Sequence, residues 1–428
     1  MIAVPALRRL SVGIVGIVGV TVVVLVAVGP LSSCVGPLIE DTAAGPIRRD
    51  ADVDPGCTTN GCLRGLLHLV DVSRSELEAL VEPGVDVDNG YAVWTIAYVT
   101  GGRAATATLT TPLGVSPPPG GFPIVVNNHG TVGLDDPCRL SLTPSGAALA
   151  GLFGARGSLG VAPDHPGLGT EGLQPYLIAD VTGRSALDAV RAAIAAAAVQ
   201  GVPTDGRAAI VGMSQGGHAA LAAAAEHDAY APELDVRAFA AAAPASMFLS
   251  HWQAGAAVDG PHLIFHALLA EAWADAEDAD ADDVFAPTFD RGLLRRTCLF
   301  DPWLRDDMTV LADVVPTSSS ELFQPAFRQA FASGALSAWP FLERGFADNR
   351  LRPLRARAPV AIFQGDADEV ILPAQTRELV SVLEGGGVPV ELIEVSGGTH
   401  VDTAFGFLGR VEAGTAVSVA WVKAALDL

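Results

Sequence analysis

Ser214 lies at the centre of the pattern Gly-Met-Ser-Gln-Gly, in which a glycine stands two residues before the serine and another two residues after it. A short apolar run at 208–211 precedes this pattern, and an alanine-rich stretch typical of a helix follows it. In a tight turn from strand to helix, small flanking residues permit a strained backbone that pushes the serine hydroxyl out at the carboxyl end of a sheet. Since the chain has 46 glycines, the pattern alone can arise by chance. The strand-like and helical flanks favour Ser214 as a nucleophile.

A serine hydroxyl is a weak nucleophile and needs a histidine base that an acidic side chain orients. Two downstream loops carry such groups, each directly after a strand-like run: one holds Asp366 and Asp368, and the other holds His400. His400 is the only one of nine histidines downstream of the acidic loop, so we predict that it is the base. Both aspartates are candidates for the acid.

Three further stretches appear in an ordered series. They are Val-Val-Asn-Asn-His-Gly-Thr at 125–131, Gly-Val-Ala-Pro-Asp-His-Pro-Gly-Leu-Gly at 160–169, and Ser-Gln-Gly-Gly-His at 214–218. Together with the order serine, acid, histidine, they make the chain from about Tyr91 onward resemble the α/β-hydrolase superfamily, and within it the secretory-lipase type. The resemblance implies an α/β fold: a mostly parallel, doubly wound sheet with a helical cap or lid inserted after the sixth strand.

The same resemblance assigns roles within the site. The family spacing of a glycine, an acid three positions later and then an apolar residue and a proline fits Gly365 and Asp368, which favours Asp368 over Asp366. Two backbone N–H groups would stabilise the oxyanion, one from Gln215 and one from the loop at Gly130 and Thr131.

The implied reaction is hydrolysis of a carboxylic ester by a lipase or esterase, with no metal or organic cofactor. Ser214 would form an acyl-enzyme, and the partner would be an acyl-ester small molecule or a lipid. Two alternatives stay open: a peptidase or amidase of the same superfamily, and a catalytically inactive envelope-anchored binding protein on a hydrolase scaffold.

The surrounding sequence predicts the elements that would position these groups. After an initial hairpin, apolar runs alternate with helical stretches, which indicates a mostly parallel sheet with helices on both faces. The strand-like runs are 93–99, 104–110, 124–128, 158–162, 208–211, 236–242, 360–363 and 390–395. The helical stretches are 180–199, 215–227, 374–384 and 416–426.

The alternation stops between the sixth and seventh of these runs. We therefore predict a hydrolase core at 61–245 and 350–428, with a cap or lid at 246–349. This middle segment is rich in tryptophan and phenylalanine, which we expect to form its own small core, and it includes an acidic block at 271–283, which we expect to be solvated.

The first residues predict export. Arg8 and Arg9 precede a continuous apolar stretch, and the tetrapeptide Leu-Ser-Ser-Cys that ends at Cys34 resembles the bacterial lipobox. We predict a lipoprotein-type signal peptide at 1–33, lipidation of Cys34, and a tether at 34–60. A signal peptide cleaved without lipidation and an uncleaved membrane anchor are the alternatives, and all three place the domain outside the cytoplasm, either membrane-anchored or secreted.

Cysteine count agrees with this location. Once Cys34 is reserved for lipid, four of the five cysteines remain, an even number suited to disulfides in an oxidising compartment. Three connectivities are possible, and we predict the bridges Cys57–Cys62 and Cys138–Cys298.

Charge excludes one class of partner. Without residues 1–33 the chain carries 24 basic and 48 acidic residues, a net charge of −24 with histidine neutral. Such a chain is unsuited to binding nucleic acid, and we expect contact with a membrane only through the N-terminal lipid. The scattered histidines and cysteines do not have the spacing of a metal site.

Overall fold

A computed structural model describes residues 53–303, 309–352, 354, 357–403, 405–406, 408 and 414–428. Within these ranges nine strands form one sheet in the order β1-β2-β3-β5-β4-β6-β7-β8-β9. The strands are β1 Leu63–Val72, β2 Gly90–Thr100, β3 Arg103–Leu113, β4 Phe122–Asn128, β5 Leu159–Pro163, β6 Thr204–Met213, β7 Asp235–Ala242, β8 Val360–Gly365 and β9 Val390–Val395.

The sheet is antiparallel at one edge and parallel through the rest. β1 pairs with β2, β2 with β3 and β3 with β5 in antiparallel fashion. All pairings from β5 through β4 to β9 are parallel. The carboxyl ends of the parallel strands therefore lie along one edge, where loops that follow them can meet.

Thirteen α-helices lie in the described ranges. They are α1 Arg74–Leu80, α2 Pro144–Gly154, α3 Ala179–Gln200, α4 Gln215–Tyr230, α5 Leu249–Ala256, α6 Leu263–Ala276, α7 Arg291–Arg296, α8 Leu311–Val314, α9 Ser319–Leu322, α10 Pro325–Ser333, α11 Pro340–Asp348, α12 Pro373–Leu383 and α13 Thr415–Ala425. None of them is both long and apolar enough to cross a membrane.

Helices cover both faces of the sheet because its central strands are apolar on both sides. Val126 and Ile210 belong to a core cluster formed with α3 and α4, whereas their neighbours Val125 and Val211 pack on the opposite face with α2 and α13. Small residues bring α3 and α4 close together: a Cβ added at Gly183 would lie 2.7 Å from the carbonyl carbon of Ala222.

The α/β-hydrolase fold is confirmed, with one correction to its numbering. All eight predicted strands are present, but β1 was not predicted, so the helical insertion follows the seventh strand of the sheet rather than the sixth. Two register shifts, between Leu63 and Gly65 and between His68 and Val70, interrupt the alternation of side chains along β1. A pattern search for period-two alternation misses a strand of this kind.

The seven helices between β7 and β8 share an aromatic cluster, as the composition predicted. Its buried members include Trp273, Phe327, Phe331, Trp339 and Phe346. Residues of the core domain also join this cluster, among them three from the segment at 173–177, namely Leu173, Tyr176 and Leu177.

Within the acidic block, Glu271 departs from the predicted solvated face. Its side chain is fully buried on α6 and forms ion pairs with Arg291 and Arg295 of α7, the first at 2.8 Å. A buried carboxylate needs such partners, because isolated burial of a charge is costly. The pairing fixes α7 against α6.

Candidate active site

Ser214 occupies the single residue between β6 and α4, in a backbone conformation that side chains rarely adopt. Its φ is 56° and its ψ is −114°. The two glycines of the pattern are required by space, since a Cβ at Gly212 would lie 2.3 Å from the carbonyl oxygen of Gly216 and one at Gly216 would lie 2.0 Å from that of Asn128. The turn thus has the strained geometry of a nucleophile elbow.

Neighbouring backbone holds this turn at the end of the sheet. The Ser214 N–H donates to the carbonyl of Ala242 at 2.9 Å, and the Ser214 carbonyl accepts from the N–H groups of His218 and Ala245. Ser214 is therefore fixed to both its own helix and the strand beside it.

The structure places His400 against Asp368 and not against Asp366. Asp368 Oδ2 lies 2.9 Å from Nδ1 of His400, and the carboxylate is fully buried. Asp366 is exposed and instead accepts from the N–H of Gly397 at 2.6 Å.

Three further donors fix the Asp368 carboxylate. Its Oδ1 accepts from the backbone N–H groups of Val370 and Ile371 at 2.8 and 2.9 Å, and its Oδ2 accepts from Nε2 of Gln364 at 3.1 Å. The Gln364 amide oxygen in turn accepts from the hydroxyl of Thr376 at 2.5 Å. Together these contacts hold the carboxylate in the orientation that faces His400.

His400 has one side-chain hydrogen bond, the one to Asp368; in the part of the chain described, none joins it to the Ser214 hydroxyl. Because a carboxylate only accepts, Nδ1 of His400 must carry the proton, which leaves Nε2 free to act as an acceptor. Hydrogen bonds between nucleophile and base are commonly long before substrate binds.

The end of β4 lies directly beside the serine. A Cβ added at Gly130 would be 3.9 Å from Cβ of Ser214 and 3.6 Å from the carbonyl oxygen of Met213. Thr131 follows Gly130 and is buried, and Gln215 on the other side of the serine is buried as well. The structure therefore brings Gly130 and Gln215 to Ser214 from two different elements.

Three other histidines near the site, His129, His165 and His218, are buried within the fold. Nδ1 of His129 lies 2.6 Å from the carbonyl oxygen of Gly130, and its Nε2 lies 3.3 Å from that of Asp164. Burial lowers the pKa of His218 to about 4 and holds the pKa of His165 well below its usual value. Both imidazoles are therefore neutral near pH 7.

Both disulfides have the predicted pairing. Cys57 and Cys62 are bridged near the start of the described chain, and Cys138 is bridged to Cys298 with their Cα atoms 5.3 Å apart. The second bridge joins the loop after β4 to the segment after α7. Cys34 lies outside the described residues.

Two functional candidates were not predicted from sequence. Gln364 had no predicted role, although its amide donates to the Asp368 carboxylate. Tyr176 lies in an irregular segment with no recognisable pattern, and its hydroxyl is 2.9 Å from that of Thr131. In the ranges that the structure covers, no group of three or more histidine, cysteine or acidic side chains is arranged to hold a metal ion.

Comparison with known proteins gives a family and a fold. Residues 149–427 match the secretory lipase family. No curated protein sequence matches the chain. Among solved structures, the chain is similar to the rice cell wall degrading esterase LipA from Xanthomonas oryzae, with a TM-score of 0.68 and 20% identity over 81% of this chain and 94% of the esterase. It is also similar to Candida antarctica lipase A, with a TM-score of 0.58 and 16% identity over 81% of this chain and 79% of the lipase.

Proposed function

Because the chain belongs to the secretory lipase family and is therefore a carboxylic ester hydrolase, we propose that it cleaves acyl esters through an acyl-enzyme formed on Ser214. The observation that carries this proposal is the 2.9 Å hydrogen bond between His400 and the buried carboxylate of Asp368, at the same sheet edge as the strained Ser214 turn. A nucleophile, a base and an orienting acid are the three parts that acyl transfer requires.

Each side chain has a defined step. Ser214 Oγ attacks the acyl carbonyl while Nε2 of His400 takes its proton, and the alcohol leaves with that proton as the acyl-enzyme forms. A water then attacks the acyl-enzyme, His400 again transferring the proton, and the carboxylic acid is released. Asp368 holds the imidazole in the reactive tautomer and stabilises it when it becomes charged.

Backbone N–H groups of Gln215 and of the Gly130–Thr131 loop would stabilise the oxyanion that forms in each step. The proximity of Gly130 to Ser214 supports this assignment, since a donor must lie close to the reacting oxygen. Loss of a single such donor typically lowers kcat by about 10²- to 10³-fold.

We assign the role of a cap or lid to the helical segment at 246–349. Its aromatic cluster includes Tyr176 and Leu177 from the core domain, which links the segment to the neighbourhood of Thr131. A cap in this position would exclude water and shape a pocket for the acyl chain.

Ser214→Ala tests the nucleophile. The wild-type protein should react with a fluorophosphonate probe and hydrolyse p-nitrophenyl esters of two to sixteen carbons with a preference for some length, and the variant should do neither. Ser246→Ala is the matched control, because Ser246 is a second serine beside a histidine, with its Oγ 2.8 Å from Nδ1 of His251. Labelling that is lost in Ser246→Ala but retained in Ser214→Ala would contradict the proposal, as would folded wild-type protein that stays unlabelled.

We further propose that the enzyme works outside the cytoplasm, anchored through lipid on Cys34. Two disulfides support an oxidising compartment. In cells given a radioactive fatty acid, the full-length chain should acquire label and sediment with membranes, whereas Cys34→Ala should do neither. Equal labelling of both forms would contradict the anchor but leave the hydrolase proposal untouched.

A further inference from the structure

The hydroxyl groups of Thr131 and Tyr176 form a buried pair beside the candidate nucleophile. Their oxygens are 2.9 Å apart, and both residues are almost fully buried. Thr131 directly follows Gly130, whose added Cβ would lie 3.9 Å from Cβ of Ser214. The pair therefore lies one residue along the chain from backbone that packs against Ser214.

One of the two hydroxyl protons in this pair remains available to donate to a ligand. Each hydroxyl has one proton to donate, and the pair uses one of the two in its own hydrogen bond. The phenol is the more acidic of the two and thus the better donor, and burial raises the pKa of Tyr176, which keeps it protonated. With Tyr176 donating to Thr131, the Thr131 proton has no acceptor among the described protein groups.

Tyr176 is held in place from two sides. On one side, the N–H of Gln174 donates to the carbonyl of Leu134, in the same loop as Thr131, at 2.8 Å. On the other side, Nε1 of Trp273 in α6 donates to the Tyr176 carbonyl at 2.9 Å. Leu177 has a φ of 57°, a conformation rare for leucine that persists only when the surroundings enforce it.

We propose that the Thr131 hydroxyl is a further oxyanion donor, acting with the backbone N–H groups, and that Tyr176 is the positioning residue that aims it. With Tyr176 as donor to the Thr131 oxygen, the Thr131 proton is available to the negative charge that develops on the acyl oxygen. This inference rests on the proposed role of Ser214. Through Tyr176 the helical segment would also influence the position of the Thr131 hydroxyl, since Nε1 of Trp273 in α6 donates to the Tyr176 carbonyl.

Thr131→Val tests the donor, because valine keeps the shape of threonine and removes the hydroxyl. We expect kcat on p-nitrophenyl butyrate to fall by about 10²-fold with KM changed less than about twofold, since the lost bond forms only in the transition state. Thr131→Ser should restore most of the rate. Thr95→Val is the matched control, since Thr95 is a buried threonine of β2 with an unpartnered hydroxyl, and its kcat should equal that of the wild type.

Tyr176→Phe tests the positioning role. We expect kcat to fall by about tenfold in the wild-type background and to stay unchanged in the Thr131→Val background, because Tyr176 acts only through the Thr131 hydroxyl. A residue that merely supports the fold would lower kcat by the same factor in both backgrounds, and that result would overturn the assignment of Tyr176.

The affinity of a boronic acid inhibitor separates this inference from the proposed function. Phenylboronic acid adds to the serine as a tetrahedral anion, so Thr131→Val should weaken its inhibition by about the same factor as kcat/KM. If thermal unfolding shows Thr131→Val to be folded and its kcat lies within threefold of the wild type, the hydroxyl is not a donor. If fluorophosphonate labelling of Ser214 fails in the wild type, the proposed function itself is wrong.

Discussion

The Asp368 carboxylate accepts four hydrogen bonds, from two backbone N–H groups, Gln364 and His400. The spacing that the family resemblance implies favoured this aspartate over Asp366. The sequence pattern assigned no role to Gln364, because a glutamine at the end of a buried strand does not reveal which polar group it contacts in the folded chain. The carboxylate is therefore oriented by contacts that only the folded chain defines, and its orientation fixes the tautomer of His400.

Asp368→Asn should lower kcat by about 10³- to 10⁴-fold, because an amide can hold the imidazole in the wrong tautomer. Far-ultraviolet circular dichroism should stay unchanged, since the amide is close in size to the carboxylate. Steady-state hydrolysis of a short p-nitrophenyl ester measures the effect. Asp366→Asn is the control and should stay within about twofold of the wild type, since Asp366 only caps the Gly397 N–H at the surface. Equal losses in the two variants would contradict the assignment of Asp368.

At the scale of elements, the sequence was most informative where apolar runs are short and continuous. The parallel strands β4 and β8 are buried along their whole length and were predicted from that pattern. The edge strand β1 was missed because its bulges break the alternation, and the segment that holds Tyr176 was missed because it has no periodicity. Elements that are defined by distant contacts rather than by local pattern need the structure.

The Cys138–Cys298 bridge joins the core domain to the helical segment at 246–349. It closes a separation of 160 residues, and beside it the Leu299 N–H donates to the carbonyl of Val132 at 2.8 Å. This contact lies one residue from Thr131. The bridge therefore connects the loop after β4 to the helical segment at 246–349.

Replacement of both Cys138 and Cys298 by serine should lower the free energy of unfolding by up to about 5 kcal/mol in the chain-entropy model. The Cys57→Ser, Cys62→Ser pair is the matched control, because its separation is only 5 residues and its expected cost is about 2 kcal/mol. Urea unfolding measures both. We also expect kcat to fall only in the first variant, since only that bridge holds the loop beside Thr131; a larger loss in the control would contradict this account.

For the whole molecule, acidity and buried histidines together determine the response to pH. The chain has 48 acidic and 26 basic residues, so its net negative charge decreases as carboxylates are protonated at low pH. Burial lowers the pKa of His218 and of His266 to about 4 and holds that of His165 well below its usual value. All three imidazoles are buried, so their protonation is coupled to unfolding.

The sign of the pH effect follows from these lowered values. Between about pH 6.5 and pH 4 the unfolded chain binds a proton at each of these histidines while the folded chain does not, so stability present at neutral pH is lost as the pH falls. Each group contributes a slope of up to about 1.4 kcal/mol per pH unit.

We expect His218→Asn to reduce the slope of unfolding free energy against pH by about one such contribution, as measured by urea unfolding at several pH values. Thr95→Val, at a buried residue whose side chain does not titrate, is the control and should leave the slope unchanged over the same range. A slope equal to that of the wild type in His218→Asn would contradict the conclusion that burial keeps this imidazole neutral in the folded enzyme.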